Sequence, residues 1–121
     1  MDSPARSFRD LVVWQKSHAL TLNIYRSTAR FPKTEQYGLA VQMQRAAVSI
    51  PANIAEGFGR SSKLEKRRFL NIAQGSLEEL RYYLILASDL GYSVDPSLSI
   101  DADEVGRMLD AYRRRIVPSV S

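Results

Sequence analysis

The sequence predicts an all-α fold, an antiparallel up-down-up-down bundle of four long helices forming one domain over 1–121. Three observations carry this. Apolar residues recur three and four positions apart through most of the chain, which lines one face of a helix. The interruptions hold the proline, glycine and capping residues that begin and end helices. No stretch alternates polar and apolar side chains for long enough to build a sheet.

The first helix is expected over about 11–30, with a face of Leu11, Trp14, His18, Leu22, Tyr25 and Ala29. Asp10, alone or paired with Ser7 as a capping box, can satisfy its first amides, and Phe31-Pro32 ends it because the residue before proline avoids helical dihedrals. Thr34 is read as the N-cap of a second helix over about 35–59, carrying Leu39, Met43, Ala46, Ala47, Ile50, Ile54 and Phe58. Pro51 lies inside this pattern and removes the amide that would bond the Ala47 carbonyl. A kink near Pro51 is therefore expected in place of a break, with Gly57 and Gly59 marking the exit.

Ser62-Lys63-Leu64-Glu65 has the form of a capping box and opens a third helix, about 63–90, with Phe69, Ile72, Ala73, Ser76, Leu77, Leu80, Leu84 and Ala87 on its face. Gly91 is the expected left-handed cap, and Tyr92 to Ser99 reads as a loop. The fourth helix, about 101–116, presents Val105, Met108, Leu109, Tyr112 and Ile116, with acids in its first turn and Arg113, Arg114 and Arg115 in its last, as the helix dipole favours. Short connections then make successive helices antiparallel neighbours.

Composition narrows the chemistry. A 45% hydrophobic and 25% charged chain of 121 residues is an ordinary globular sequence, large enough for one core. The absence of cysteine excludes disulfides, thiolate metal sites and a cysteine nucleophile. The first residues lack a signal-like apolar stretch and no run approaches the ~20 residues that span a bilayer, so no membrane association and a cytoplasmic location are expected. The net charge of +4 is uneven: residues 1–68 hold 12 basic and 5 acidic side chains, residues 69–121 hold 5 and 8.

A dimetal carboxylate bundle needs Glu-x-x-His pairs, but the only histidine, His18, follows Gln15 at that spacing. No metal and no cofactor are expected. The glycines of Glu56 to Ser62 lack the spacing and context of a phosphate-binding loop and read as a helix exit followed by a capped entry. No triad can be assembled, and an enzyme is not expected.

A polar seam on the second helix, Gln42, Arg45, Ser49, Asn53, Glu56 and Arg60, runs beside the apolar face at helical spacing. It is read as a structural network of Arg45, Ser49, Asn53 and Glu56 completed by Ser76 and Glu79, with a solvated face as the alternative. The cluster Arg60, Lys63, Lys66, Arg67 and Arg68, extended by Arg113, Arg114 and Arg115, is the candidate nucleic-acid surface; a merely solvated helix surface is the alternative. With no groove-reading motif, such binding to RNA or DNA would have low sequence specificity. Val12, Val13, Leu20, Val41, Val48 and Ile85 exceed what one core must bury, so a homo-oligomer is expected.

Three strings carry a family resemblance over residues 8 to 92. Asp10-Leu11-Val12-Val13-Trp14-Gln15-Lys16 is followed by Phe31-Pro32 and Glu35-Gln36-Tyr37-Gly38-Leu39. Arg45-Ala46-Ala47-Val48-Ser49-Ile50-Pro51-Ala52-Asn53-Ile54-Ala55-Glu56-Gly57 and Ala73-Gln74-Gly75-Ser76-Leu77-Glu78-Glu79-Leu80 are the more specific two. They resemble the four-helix-bundle proteins named after intervening sequences in bacterial 23S rRNA genes. The resemblance implies an up-down bundle, a homopentameric ring, no catalytic activity, and a distant similarity to the basic accessory protein of diversity-generating retroelements. The functional expectation is a non-catalytic oligomer that binds RNA or DNA through a basic surface; the alternative is a protein-interaction scaffold.

Overall fold

The computed structural model describes residues 4–116. Four α-helices follow one another: α1 (Val12–Thr28), α2 (Leu39–Phe58), α3 (Lys63–Asp89) and α4 (Ser97–Ile116), with short 3-10 turns at Phe8–Asp10 and Lys33–Glu35. Each helix touches two others, α1 against α2 and α4, α3 against α2 and α4, and the diagonal pairs do not meet. This is the antiparallel four-helix bundle.

The core is an apolar column of Leu20, Ile24, Met43, Ile50, Ile54, Leu70, Leu77, Leu80, Val105 and Leu109, all essentially without solvent exposure. Three of the expected faces hold in outline, with local exceptions. On α3 the buried stripe is Leu70, Ala73, Leu77, Leu80, Leu84 and Ala87, while Phe69 is half-buried and Ile72 is 41% exposed. Ile72 therefore lies outside the core that contains Leu39, Ile50 and Leu80.

On α1 the face differs from expectation. Val13, Ser17, Leu20, Thr21, Ile24 and Thr28 point inward, and His18, Leu22, Tyr25 and Ala29 point out. Val13 and Leu20, read as surplus surface residues, are core. Both stripes of α1 are amphipathic enough to pack, and the sequence assigns the larger aromatic one to the interior. The stripe that packs is slimmer, and it meets α2 at Ala47, on a helix whose buried residues include the small Ala40 and Ala46.

The buried hydroxyls on that stripe are all satisfied. Ser17 Oγ donates to Trp14 O at 2.9 Å, and Thr28 Oγ1 donates to Ile24 O at 2.9 Å while accepting from Gln44 Nε2 at 3.0 Å. Thr21 matters most. Its Oγ1 lies 2.9 Å from Ser17 O and 3.0 Å from Ala47 O. The Ala47 carbonyl is the acceptor that Pro51 leaves without an amide, and α2 runs on through the proline. The hydroxyl of the neighbouring helix replaces the missing bond.

The helix ends also depart from expectation in detail. The Ser7/Asp10 capping box forms, but it caps the 3-10 turn before α1, and α1 begins at Val12 with Leu11 as an N-cap that offers no side-chain bond. Thr34 caps nothing; α2 starts at Leu39, whose amide is accepted by Glu35 Oε1 at 3.2 Å. Ser62 Oγ accepts the Glu65 amide at 3.0 Å, the N-cap half of the expected capping box. Gly91 adopts φ 82°, and its amide bonds Ser88 O while that of Tyr92 bonds Ala87 O, each at 3.0 Å, the paired bonds of a left-handed helix terminus. The fourth helix starts four residues early because Asp95 accepts the Ser97 amide at 2.9 Å and Pro96 presets the first turn.

The two loops at one end of the bundle are joined. Tyr92 stacks on Phe31 with ring centroids 5.3 Å apart, and its hydroxyl donates to Glu35 Oε2 at 2.5 Å. The bond to Tyr92, then that to Leu39, holds the Glu35 carboxyl below its usual range; the same contact, with some burial, pushes the Tyr92 phenol up.

Two outcomes follow. Thr21→Val should cost roughly 1–3 kcal/mol by stranding the Ala47 carbonyl, and much less in a Pro51→Ala background where an amide is restored; urea unfolding of the double-mutant cycle measures the coupling. Glu35, with its pKa depressed by folding, stabilises above the ordinary carboxylate pKa, and that contribution is lost as pH falls through its folded value. Tyr92, with its pKa raised, stabilises below the ordinary phenol pKa and loses this as pH rises through its folded value. Spectroscopic titration should therefore show the Tyr92 ionisation moving down in Glu35→Gln.

Candidate nucleic-acid interface

The turn from α2 to α3 is built by close approach. Gly57 is buried, and a Cβ there would sit 3.3 Å from the Cβ of Phe69 and 3.5 Å from Lys66 O, so glycine lets the two backbones meet. Gly59 ends α2 and Ser62 opens α3, the helix exit and capped entry expected for Glu56 to Ser62.

This turn divides the basic cluster by role. Lys66 is half-buried, and its Nζ donates to Phe58 O at 3.0 Å and Gly57 O at 3.2 Å, the last carbonyls of α2. There it answers the negative end of the helix dipole. Arg60 pairs with Glu56 at 3.0 Å and lies 4.0 Å from Glu65, with its guanidinium 4.8 Å from the Phe69 ring; Arg68 lies 5.7 Å from the same ring. The half-buried phenylalanine thus carries two cations over its electron-rich surface. Among the described residues Lys63, Arg67 and Arg68 have no carboxylate within ion-pair distance.

The second basic run comes to the same end. Arg113 Nη1 donates to Asn71 Oδ1 at 3.1 Å, tying the last turns of α4 to the first part of α3. Arg113 and Arg114 also reach Asp110, at 3.0 and 3.1 Å, while the Arg115 guanidinium lies 5.8 Å from the Tyr112 ring. Two runs separated by more than forty residues therefore share one end of the bundle.

The α2–α3 seam forms around three of the six expected residues. Ser49 Oγ and Ser76 Oγ lie 2.7 Å apart, and Asn53 Nδ2 donates to Ser49 O at 2.7 Å and Ser49 Oγ at 3.0 Å. Ser49 Oγ thus accepts from Asn53, and either serine hydroxyl can donate to the other. The other three lie apart from this cluster. Glu56 turns to Arg60, and Arg45 is exposed. Glu79 is exposed beside Tyr83, whose phenol is pushed up by burial first and then by that carboxylate.

Thr21 and Tyr92 were missed as polar anchors. Thr21 had a signal, since the proline that orphans the Ala47 carbonyl asks for a hydroxyl on a neighbouring helix; Tyr92 had none, since its partner is 57 residues away. His18 is exposed and stacks on Trp14, centroids 5.0 Å apart and planes 11° off parallel. Among the described residues no three His, Asp or Glu side chains group as metal ligands, and no helix is long and apolar enough to cross a membrane.

These features define an all-helical bundle whose polar contacts join its helices to one another and whose basic runs meet at one end. The sequence profile of the 23S rRNA-intervening sequence protein family matches residues 9–111, and the chain belongs to that family. A solved structure of a protein of unknown function from the S23 ribosomal protein family of Bacteroides thetaiotaomicron is similar at TM-score 0.78 and 25% identity. The match covers 85% of this chain and 96% of that one. No curated protein matches the chain.

The roles assigned to the two lysines separate in stability. Lys66→Ala should lower unfolding free energy by about 1 kcal/mol through loss of the α2 C-terminal contacts, whereas Lys63→Ala should stay within about 0.5 kcal/mol of the parent. Thermal and urea melts of the two variants compare them directly.

Proposed function

We propose that the protein is a non-catalytic, cytoplasmic oligomer that binds RNA or DNA with low sequence specificity through the basic end of its bundle. The observation that carries this is the Arg113 to Asn71 bond, which sets the start of the α4 arginine run against α3 about one turn from Arg67 and Arg68; these two and Lys63 are cations without carboxylate partners among the described residues. A cluster of this kind attracts a phosphate backbone through counterion release. The family resemblance supports assembly into a ring of five, in which such ends would be repeated around an axis.

A second reading, a protein-interaction scaffold, is supported by the outer face of α1 and α2. Leu22, Tyr25 and Val48 are each about two-fifths exposed there, alongside the Trp14 and His18 stack. That face would serve contacts between subunits or with a protein partner.

In a salt-titrated binding assay with short RNA and DNA, the protein should bind at low ionic strength, with affinity falling steeply as salt rises. Lys63→Glu with Arg67→Glu should weaken binding at least tenfold and flatten the salt slope, while the circular dichroism melt stays unchanged. Lys66 is left intact because it supports the fold. Absence of binding at low salt rejects the reading; capture of one protein that persists after nuclease treatment favours the scaffold instead.

A further inference from the structure

Gly75 sits in the middle of the 27-residue helix α3, exposed, and a Cβ built there meets nothing within 4 Å. Glycine is among the poorest helix formers, and nothing inside this chain requires it at that position. Close approach of a second backbone from outside is the physical use such a position has.

The residues around it are arranged symmetrically. Arg68 is seven positions before Gly75 and Tyr82 seven after; Asn71 and Glu79 are four before and after; Leu64 and Leu86 are eleven before and after. Steps of four and seven keep side chains on one face of a helix, so Leu64, Arg68, Glu79 and Tyr82 form an outward seam with the glycine at its centre, while Asn71 at its edge accepts from Arg113 of α4 and Leu86 packs on the core. The seam is apolar for a surface: Leu64 is 74% exposed, Tyr82 56% and the adjoining Ile85 59%. It is also polarised. The half before Gly75 carries Lys63, Arg67 and Arg68 against Glu65, with Lys66 turned to the end of α2, and the half after it carries Glu78, Glu79 and Asp89 against Arg81, which is itself held by Asp103 of α4 at 2.8 Å.

We infer that α3 pairs with α3 of a second copy of this chain, antiparallel and two-fold, crossing at Gly75. An antiparallel crossing lays the basic half of each helix on the acidic half of the other; a parallel one would set like charges together. It puts the Arg68 guanidinium over Tyr82 of the second copy and within one helical turn of its Glu79, and Leu64 against its Ile85. The two glycines allow the axes to approach to about 8 Å, the close limit for packed helices. Such a contact is isologous and closes on two copies, whereas a ring contact is head-to-tail and joins two different faces. The two are separable; Arg68 belongs both to this contact and to the proposed nucleic-acid surface, so the association is read on protein freed of nucleic acid.

The test uses full-length, nuclease-treated protein and does not alter Lys63 or Arg67. Arg68→Glu alone and Glu79→Arg alone should each weaken the association at least tenfold, halving the assembly mass read by native mass spectrometry at micromolar concentration. An equimolar mixture of the two should restore it, since each reversed charge then meets an opposite one. Gly75→Gln should also weaken pairing while the melting temperature of the dilute chain does not fall. The chain has no cysteine, so Gly75→Cys should give a disulfide-linked pair on mild oxidation, because only a two-fold contact brings a residue to its own copy; Ser99→Cys, remote from the seam, should not. Unchanged mass in both charge variants, or no linked pair from Gly75→Cys beyond the Ser99→Cys background, overturns the inference.

Discussion

Pro51 has no amide to give the Ala47 carbonyl, and between α1 and α2 that oxygen is cut off from water. An unpartnered buried carbonyl is costly. Thr21 resolves it from the adjacent helix at 3.0 Å, and this requirement decides which face of α1 turns inward. Once Thr21 points at α2, Ser17, Ile24 and Thr28 follow on the same side, and His18, Leu22 and Tyr25 are carried outward. The polar residues of the buried stripe are no defect, because Ser17 and Thr28 donate to carbonyls of their own helix and the single Thr21 proton lies between Ser17 O and Ala47 O.

The same logic of joining helices through short polar contacts recurs around the bundle. Ser49 and Ser76 clasp α2 to α3 near mid-length, with Asn53 bracing the clasp from one turn away. At one end Tyr92 ties the loop before α4 to the loop before α2 through Glu35, which at the same time caps α2. At the other, Lys66 and Arg113 close the α2–α3 turn and the α3–α4 pair. Apolar burial drives the bundle together, and these contacts fix how the rods are rotated about their axes.

The basic residues show why a charge run in a sequence is an incomplete description of a surface. Lys66 belongs to the fold and Arg60 is engaged by two carboxylates and a phenyl ring, yet Lys63, Arg67 and Arg68 have no carboxylate partner among the described residues, and Arg68 only shares the Phe69 ring. Folding also adds to the cluster by bringing α4 alongside. The proposed nucleic-acid surface is thus smaller than the run of α3 alone implies and wider in sequence. The outer seam of α3 uses the opposite charges of its two halves, which a compact ligand could not match but a reversed copy of the same helix does.

Helix number, order and antiparallel packing were determined by the sequence itself, because period, caps and breakers act within a few residues of where they are written. Ser62, Gly91 and the stripe through Ile50 and Ile54 could be read directly. Which of two apolar stripes on α1 would be buried was decided only by the tertiary structure, since the choice rests on a carbonyl 26 residues away. For the same reason the six-residue polar seam contracted to Ser49, Asn53 and Ser76: spacing put six residues on facing sides of two helices, but hydrogen bonds need atoms within about 3 Å, and helix rotation and depth set that distance.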